Sequence, residues 1–138
     1  MGQRNLAVGS QALQGNVAGS RSVAVGFQSM LYADSTTTAT AKNNVALGYT
    51  ALRGSTTAAN NTGATNVCIG NNTMLNSTTG SSNVVVGHNA GNDLTTGDKN
   101  ILIGFGAGDE ITTGSNNTIF GDVPGTAALS GNIVFAAG

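Results

Sequence analysis

The residues that could carry chemistry are few, and their spacing forms no catalytic constellation. His88 is the only histidine, so a nucleophile–histidine–acid arrangement has one candidate base and no supporting motif. Asp109 and Glu110 are adjacent and would point to opposite faces of an extended chain. The other acids are scattered through turns: Asp34, Asp93, Asp98 and Asp122. We therefore expect no catalytic residue, no cofactor and no metal site within one chain. The sequence leaves two alternatives open if several chains assemble: a carboxylate pair formed across a subunit interface, or a metal site formed by copies of His88.

The composition excludes further classes of function. Charged residues make up 8% of the chain, against roughly 25% in typical soluble proteins. The net charge is −1 and no cluster of Lys and Arg is present, which argues against nucleic-acid binding. No apolar run approaches the roughly 20 residues of a membrane helix, so we expect no membrane insertion. Cys68 is the only cysteine and replaces a small apolar residue of a repeat, so we expect it to be buried.

One pattern recurs eight times: a polar residue, three mostly apolar residues, then a small residue. Its copies span residues 5–9, 22–26, 44–48, 66–70, 83–87, 100–104, 117–121 and 132–136. The glycines that close the copies are spaced by 17 or 22 residues. A fixed period predicts stacked units, and short runs rich in Val and Ile between Asn and Gly predict strands. The sequence therefore predicts an all-β fold, a parallel β-solenoid or β-roll of 17–22-residue repeats. It would form a single array over residues 1–138 with about eight rungs, a rung being one turn of the coil.

The residues that flank each strand suit the corners of such a coil. Glycine supplies positive φ, as we expect for Gly48 and Gly87. Asparagine tolerates left-handed conformations, and stacked asparagine side chains can form a ladder along the rod.

The faces of the strands lead to a prediction about assembly. Because side chains alternate, the middle residue of each triplet points away from the outer two. We expect the outer two, as in Val23 and Val25, to fill the coil and the middle residue to face outward. The middle residues are all apolar: Ala7, Ala24, Ala46, Cys68, Val85, Leu102, Ile119 and Val134. An exposed apolar ladder must be covered. These residues are therefore predicted to form the interface of a homotrimeric rod, intertwined or side by side.

Two repeats carry five extra residues each, in the turn before the next strand. The longer turns run from Leu31 to Asn43 and from Arg53 to Thr65. Insertions at one site in successive rungs often form the binding face of a repeat protein. The predicted receptor contacts are Tyr32, Asp34, Lys42 and Arg53. Simple tolerated growth of a loop explains the insertions equally well.

Strands such as Ser22-Val-Ala-Val-Gly26 resemble the head repeats of trimeric autotransporter adhesins, which form a left-handed parallel β-roll in a homotrimer. Those repeats are shorter and lack the Thr-Thr-Gly turn. The longer unit, Asn44-Val-Ala-Leu-Gly-Tyr-Thr-Ala-Leu52 with Thr95-Thr-Gly97 before the next strand, is more similar to repeats of bacteriophage tail fibre proteins. The resemblance covers nearly the whole chain and implies a trimeric β-rod.

The predicted function is a non-catalytic, structural and host-attachment segment of a trimeric phage tail fibre in the virion. Its expected partners are two further copies, other tail or fibre proteins, and a glycan or protein of the host surface. Because both ends cut through the array, we expect the chain to be a fragment of a longer fibre. One alternative is the head of a bacterial trimeric autotransporter adhesin at the cell surface. Another is an ice-binding solenoid, suggested by the threonine pairs 95/96 and 112/113 one rung apart.

Overall fold

The chain winds into a parallel β-solenoid, as the repeat predicts. The structure is a computed structural model that describes residues 4–32, 40–56 and 61–136. Its strands are β1 (Leu6–Val8), β2 (Gly19–Ser20), β3 (Val23–Val25), β4 (Thr40–Ala41), β5 (Val45–Leu47), β6 (Val67–Ile69), β7 (Val84–Val86), β8 (Ile101–Ile103), β9 (Thr118–Phe120) and β10 (Ile133–Phe135). Eight of them form one sheet in the order β1-β3-β5-β6-β7-β8-β9-β10, and β2 pairs with β4. The predicted all-β class and parallel solenoid are confirmed.

Every neighbouring pair in the main sheet is parallel and in register. Leu6 lies beside Val23, which lies beside Val45, and the same correspondence continues to β10. The insertions therefore leave the strands untouched and enlarge only the turns between them. Each repeated position of the triplet forms a straight ladder along the rod.

Glycine closes seven of the eight strands of the main sheet, at a corner where a side chain has no room. Gly48 has φ of 136° and Gly87 has φ of 138°, which confirms the predicted positive-φ corners. A Cβ added to Gly87 would collide with the backbone oxygen of Gly104 in the next rung. Glycine is thus required twice, for its backbone conformation and for the close stacking of successive corners.

The asparagines that precede the strands form the predicted ladder, and it lies inside the coil. Asn66, Asn83 and Asn100 are fully buried. The backbone N–H of Asn83 donates to Asn66 Oδ1 at 3.0 Å, and the N–H of Asn100 donates to Asn83 Oδ1 at 2.9 Å. The Asn83 Nδ2 also donates to the Gly97 carbonyl at 3.0 Å. Each side chain therefore ties its own rung to the neighbouring ones.

The predicted orientation of the strand faces is wrong. The middle residues point into the coil: Ala24, Ala46, Cys68, Val85, Leu102 and Ile119 are 0% exposed. Ala7 and Val134 occupy the same register in the first and last described strands and are less buried than the other six. The six buried residues are not available to a second chain, so the predicted ladder does not form a continuous subunit interface.

The correct orientation follows from the residues on either side of the triplet. Alternation places Asn66, Cys68 and Gly70 on one face of the chain. The coil is narrow. On this face Asn66 contributes a hydrogen-bonding side chain, Cys68 contributes a small apolar side chain, and Gly70 contributes none. The remaining core comes from the other walls of the coil and includes Met74, Leu94 and Ile111.

Candidate interaction surface

The outer side of the main sheet carries two apolar ladders, which we call the outer sheet face. The first residues of the triplets form one ladder: Leu6, Val23, Val45, Val67, Val84, Ile101, Thr118 and Ile133. The third residues form the other: Val8, Val25, Leu47, Ile69, Val86, Ile103, Phe120 and Phe135. Thr118 is the one polar member of these two sets. The argument that an outward apolar ladder must be covered thus applies to this face, with different residues from those predicted.

The outer sheet face is exposed or half-buried at every rung. Ile69, Val84 and Ile101, from the middle of the array, are 37–38% exposed. At the ends, Leu6 and Phe135 are 52% and 72% exposed. Within residues 4–32, 40–56 and 61–136, no residue of the two ladders is fully buried. The result is a flat surface, two side chains wide, with almost no polar group.

Aromatic side chains extend this surface beside the second ladder. Phe27 and Tyr49 follow the corner glycines of adjacent rungs and stack with ring centroids 5.3 Å apart. His88 stacks on Phe105 at 5.2 Å in the same position two rungs further on. His88 is a turn residue beside Gly87. The stacking follows from the register, since equivalent positions lie one strand spacing apart.

The predicted receptor contacts do not form one exposed site. Lys42 is only 5% exposed, and its Nζ donates to the carbonyl of Thr62 at 3.0 Å. It therefore joins the two long turns to each other and is not a surface cation. Tyr32 and Arg53 are half-buried and are linked by a hydrogen bond from the Tyr32 N–H to the Arg53 carbonyl. Asp34 lies outside the described residues.

Asp109 and Asp122 both lie close to Gly106. A Cβ built on Gly106 would lie 3.1 Å from Asp122 Oδ1 and 3.5 Å from Asp109 Oδ2. Asp109 Oδ1 is buried and has no hydrogen-bond partner among the described residues. Within residues 4–32, 40–56 and 61–136, no group of three or more His, Cys, Asp or Glu side chains is placed to hold a metal ion. Two carboxylates at a turn do not make a binding site by themselves.

In the described part of the chain, the interior holds one buried thiol and little empty space. Cys68 is fully buried, its Sγ lies 3.4 Å from Met74 Sδ, and burial raises the pKa of its thiol far above the usual range. The thiolate needed for nucleophilic attack is therefore suppressed. A cavity of about 10 Å³ lies between the second long turn and the next rung, lined by Asn44, Ser77 and their neighbours. It has room for about one water molecule.

The feature that sequence reasoning placed on the wrong residues is the outer sheet face itself. The signal that locates it is the polar residue at the start of each repeat, which shares the inward face with the middle residue.

In the described part of the chain no helix has the length and apolar character that crossing a bilayer requires. Comparison with known proteins gives no match to a protein-family model, to a curated protein or to a solved structure.

Proposed function

We propose that the chain is a rod segment of a homotrimeric fibre, of the type found in phage tail fibres, and that it acts by structure and attachment without catalysis. The observation that carries the proposal is the outer sheet face, an apolar surface that runs the length of the coil. The homotrimer and the fibre come from the resemblance of the repeats. The structure contributes the surface through which copies would pack.

The energetics favour covering this surface. Fully burying a Val or Ile side chain contributes roughly 1.5–3 kcal/mol. Since Val84 and Ile101 retain 37% and 38% of their exposure, covering them would contribute on the order of 1 kcal/mol each. The same gain recurs at most rungs. A contiguous apolar patch of this length is uncommon on monomeric proteins and typical of interaction sites.

Side-by-side packing of three complete coils fits this geometry better than intertwined chains. Each chain closes its own coil, buries its own core and satisfies its own asparagine ladder. The outer sheet faces are flat and parallel to the rod axis, so three of them would enclose a central apolar seam. The stacked aromatic pairs, Phe27 with Tyr49 and His88 with Phe105, would lie at the edges of that seam.

The mass of the particle in solution tests the assembly. A homotrimer has three times the 13.6 kDa mass of the chain in light scattering after size exclusion. We expect Val84→Glu and Ile101→Glu to give monomers, because unpaired carboxylates buried in an apolar seam cost several kcal/mol. Thr96→Glu is the matched control, since Thr96 is exposed on a turn away from the sheet. A monomeric parent contradicts the trimer, and assembly of Val84→Glu contradicts the assignment of the face.

The fibre context has its own test in the coding region. Tail genes beside the coding sequence, or a self-cleaving chaperone domain after the array, are expected for a tail fibre. A coiled-coil stalk followed by a membrane anchor would favour the adhesin head.

Host contact is proposed for the two long turns. Shortening both to the eight-residue form should leave the trimer intact and abolish binding to host cells, and retained binding would exclude these turns.

The ice-binding alternative is favoured by one feature and opposed by another. Thr79, Thr96 and Thr113 occupy the same exposed position on three successive rungs. The neighbouring threonines use their hydroxyls within the coil, as Thr95 Oγ1 does by donating to the Thr112 carbonyl at 3.0 Å. The threonine pairs of the sequence implied two rows of exposed hydroxyls for binding ice. In the structure only the row of Thr79, Thr96 and Thr113 is exposed. Thermal hysteresis in a solution of the chain would revive this alternative.

A further inference from the structure

We propose that the rung between the two stacked aromatic pairs forms a notch that binds one pyranose ring of an uncharged glycan. Tyr49 and His88 are the walls of this notch and Asn71 is its floor. All three belong to the surface column of residues that directly follow the corner glycines. The site lies outside the two long turns and does not depend on assembly of the rod.

Each wall of the notch has one aromatic face covered by a neighbouring ring. Tyr49 stacks on Phe27 with an angle of 14° between the ring planes, and His88 stacks on Phe105 with an angle of 5°. Because β6 lies between β5 and β7, the rung of Asn71 separates the two pairs. The uncovered faces of Tyr49 and His88 therefore look toward each other across that rung.

The gap between the walls has room for one more ring. Two strand spacings of about 4.8 Å place the walls roughly 10 Å apart, so a ring held midway lies roughly 5 Å from each. The rings within the existing pairs are 5.3 and 5.2 Å apart. Asn71 is exposed, and its side chain ends several atoms short of the tyrosine in the preceding rung. The outer part of the gap is therefore open above the Asn71 amide.

Polar groups surround this opening. In the part of the chain that the structure describes, several of them make no hydrogen bond: the Asn71 amide, the Tyr49 hydroxyl, the His88 ring nitrogens and Asn89 Nδ2. Amides supply both donors and acceptors, so the floor can bind a hydroxyl in either orientation.

A chain of hydrogen bonds fixes the amide of Asn89 beside the notch. Thr50 Oγ1 donates to Asn72 Oδ1 at 2.6 Å, and Asn72 Nδ2 donates to Asn89 Oδ1 at 3.1 Å. These bonds use the oxygen of Asn89 and leave its nitrogen to donate outward. A donor held in place before the ligand arrives lowers the cost of ordering on binding.

The chemistry of the walls and the floor selects the class of ligand. Apolar and aromatic walls with a few positioned polar groups are typical of small-molecule sites. A pyranose ring has two faces of C–H groups and a rim of hydroxyls, which match the aromatic walls and the amides respectively. An aromatic side chain of a protein partner would fill the gap but would leave the polar groups unpaired.

The absence of charge points to a neutral glycan. The column of Asn71 and the column beside it hold no Lys, Arg, Asp or Glu at residues 27–28, 49–50, 71–72, 88–89 and 105–106. A charged sugar would gain no ionic contact at this place.

Nuclear magnetic resonance tests the site directly, because His88 is the only histidine and its ring protons give one unambiguous set of signals. The probes are the methyl glycosides of glucose, galactose and N-acetylglucosamine. We expect at least one of them to shift the His88 signals in a saturable way. Its own C–H signals should move upfield, because they would lie between two aromatic faces.

Asn71→Tyr fills the notch with the chain's own ring and should abolish this binding. The fold should tolerate it, since Tyr49 holds the equivalent position one rung earlier, and an unchanged melting curve checks this. Thr96→Tyr is the matched control, because it adds a tyrosine on an exposed turn and should leave the binding unchanged. Tyr49→Ala should weaken the binding roughly two- to tenfold, since one wall is lost.

Three results would overturn the proposal. One is the absence of a saturable shift with all three glycosides. Another is an equal shift in the parent and in Asn71→Tyr. The third is binding of N-acetyltyrosinamide without binding of any glycoside, which would identify an aromatic side chain as the ligand. Shortening the two long turns should leave glycoside binding unchanged, so this site and the host contact proposed for those turns can fail separately.

Discussion

Replacing Asn83 by alanine should destabilise the rod more than its modest size suggests. The side chain is fully buried in the middle of the asparagine ladder. Its Nδ2 donates to the Gly97 carbonyl at 3.0 Å, and its Oδ1 accepts the Asn100 backbone N–H at 2.9 Å. The alanine variant leaves both backbone groups buried without these partners. An unsatisfied buried donor or acceptor costs about 1–3 kcal/mol, so the two together predict a loss of roughly 2–6 kcal/mol in the free energy of unfolding.

Equilibrium denaturation in urea measures this loss, with parent and variants compared at one protein concentration because assembly adds to apparent stability. Asn132→Ala is the matched control. Asn132 is partly exposed at the last rung, and its side chain donates only to the Ser130 carbonyl at 2.8 Å. Water can replace that bond, so we expect a loss below about 1 kcal/mol. Equal losses for the two variants would refute the role assigned to the buried ladder.

Two further predictions concern the corner and the core. Gly87→Ala should lower the free energy of unfolding by more than about 2 kcal/mol, whereas Gly131→Ala, also at positive φ but with no atom near its added Cβ, should cost less; similar melting temperatures would show that the close stacking is unimportant. The Cys68 thiol should react with an aromatic disulfide reagent only after denaturant is added, because it is fully buried and its pKa is raised. Rapid reaction in the native state would contradict the core placement.

The fold could be predicted because its determinants are local and repeated. The Asn, the triplet and the Gly of each repeat fix strand length, corners and register, and the structure has them where the sequence placed them. The asparagine ladder and the positive φ of Gly48 also follow from residue chemistry, whereas the inward orientation of the ladder was not predicted. The backbone conformation of the turns between strands could not be predicted from the local sequence. Leu52 and Met74 adopt φ of 48° and 45°, a left-handed conformation that their residue types disfavour. Hydrogen bonds to the neighbouring rungs, such as that from the Leu52 N–H to the Thr73 carbonyl at 2.9 Å, hold them there.

The position of the interaction surface was missed because both faces of the triplet are apolar. Apolar alternation normally separates core from solvent, but Val84, Val85 and Val86 give no such contrast. The decision rests instead on space, since each strand contributes one apolar side chain to the inside of the coil, as Cys68 and Leu102 do, and the two residues beside it stay outside. The placement of Lys42 was missed for a related reason. A lysine in a long turn is usually exposed, yet a second long turn in the next rung covers this one.

The in-register stacking of the strands also determines how a single chain would respond to force. The hydrogen bonds of the main sheet run parallel to the rod axis, so a pull on the two ends loads the contacts between rungs one after another. When one rung detaches, its 17 or 22 residues are freed as a unit. An extended chain spans about 3.3 Å per residue, so each regular rung would release about 55 Å of length. A stretched chain would therefore lengthen in discrete, nearly equal steps, with larger steps at the two long turns. Each step would correspond to the unfolding of one rung.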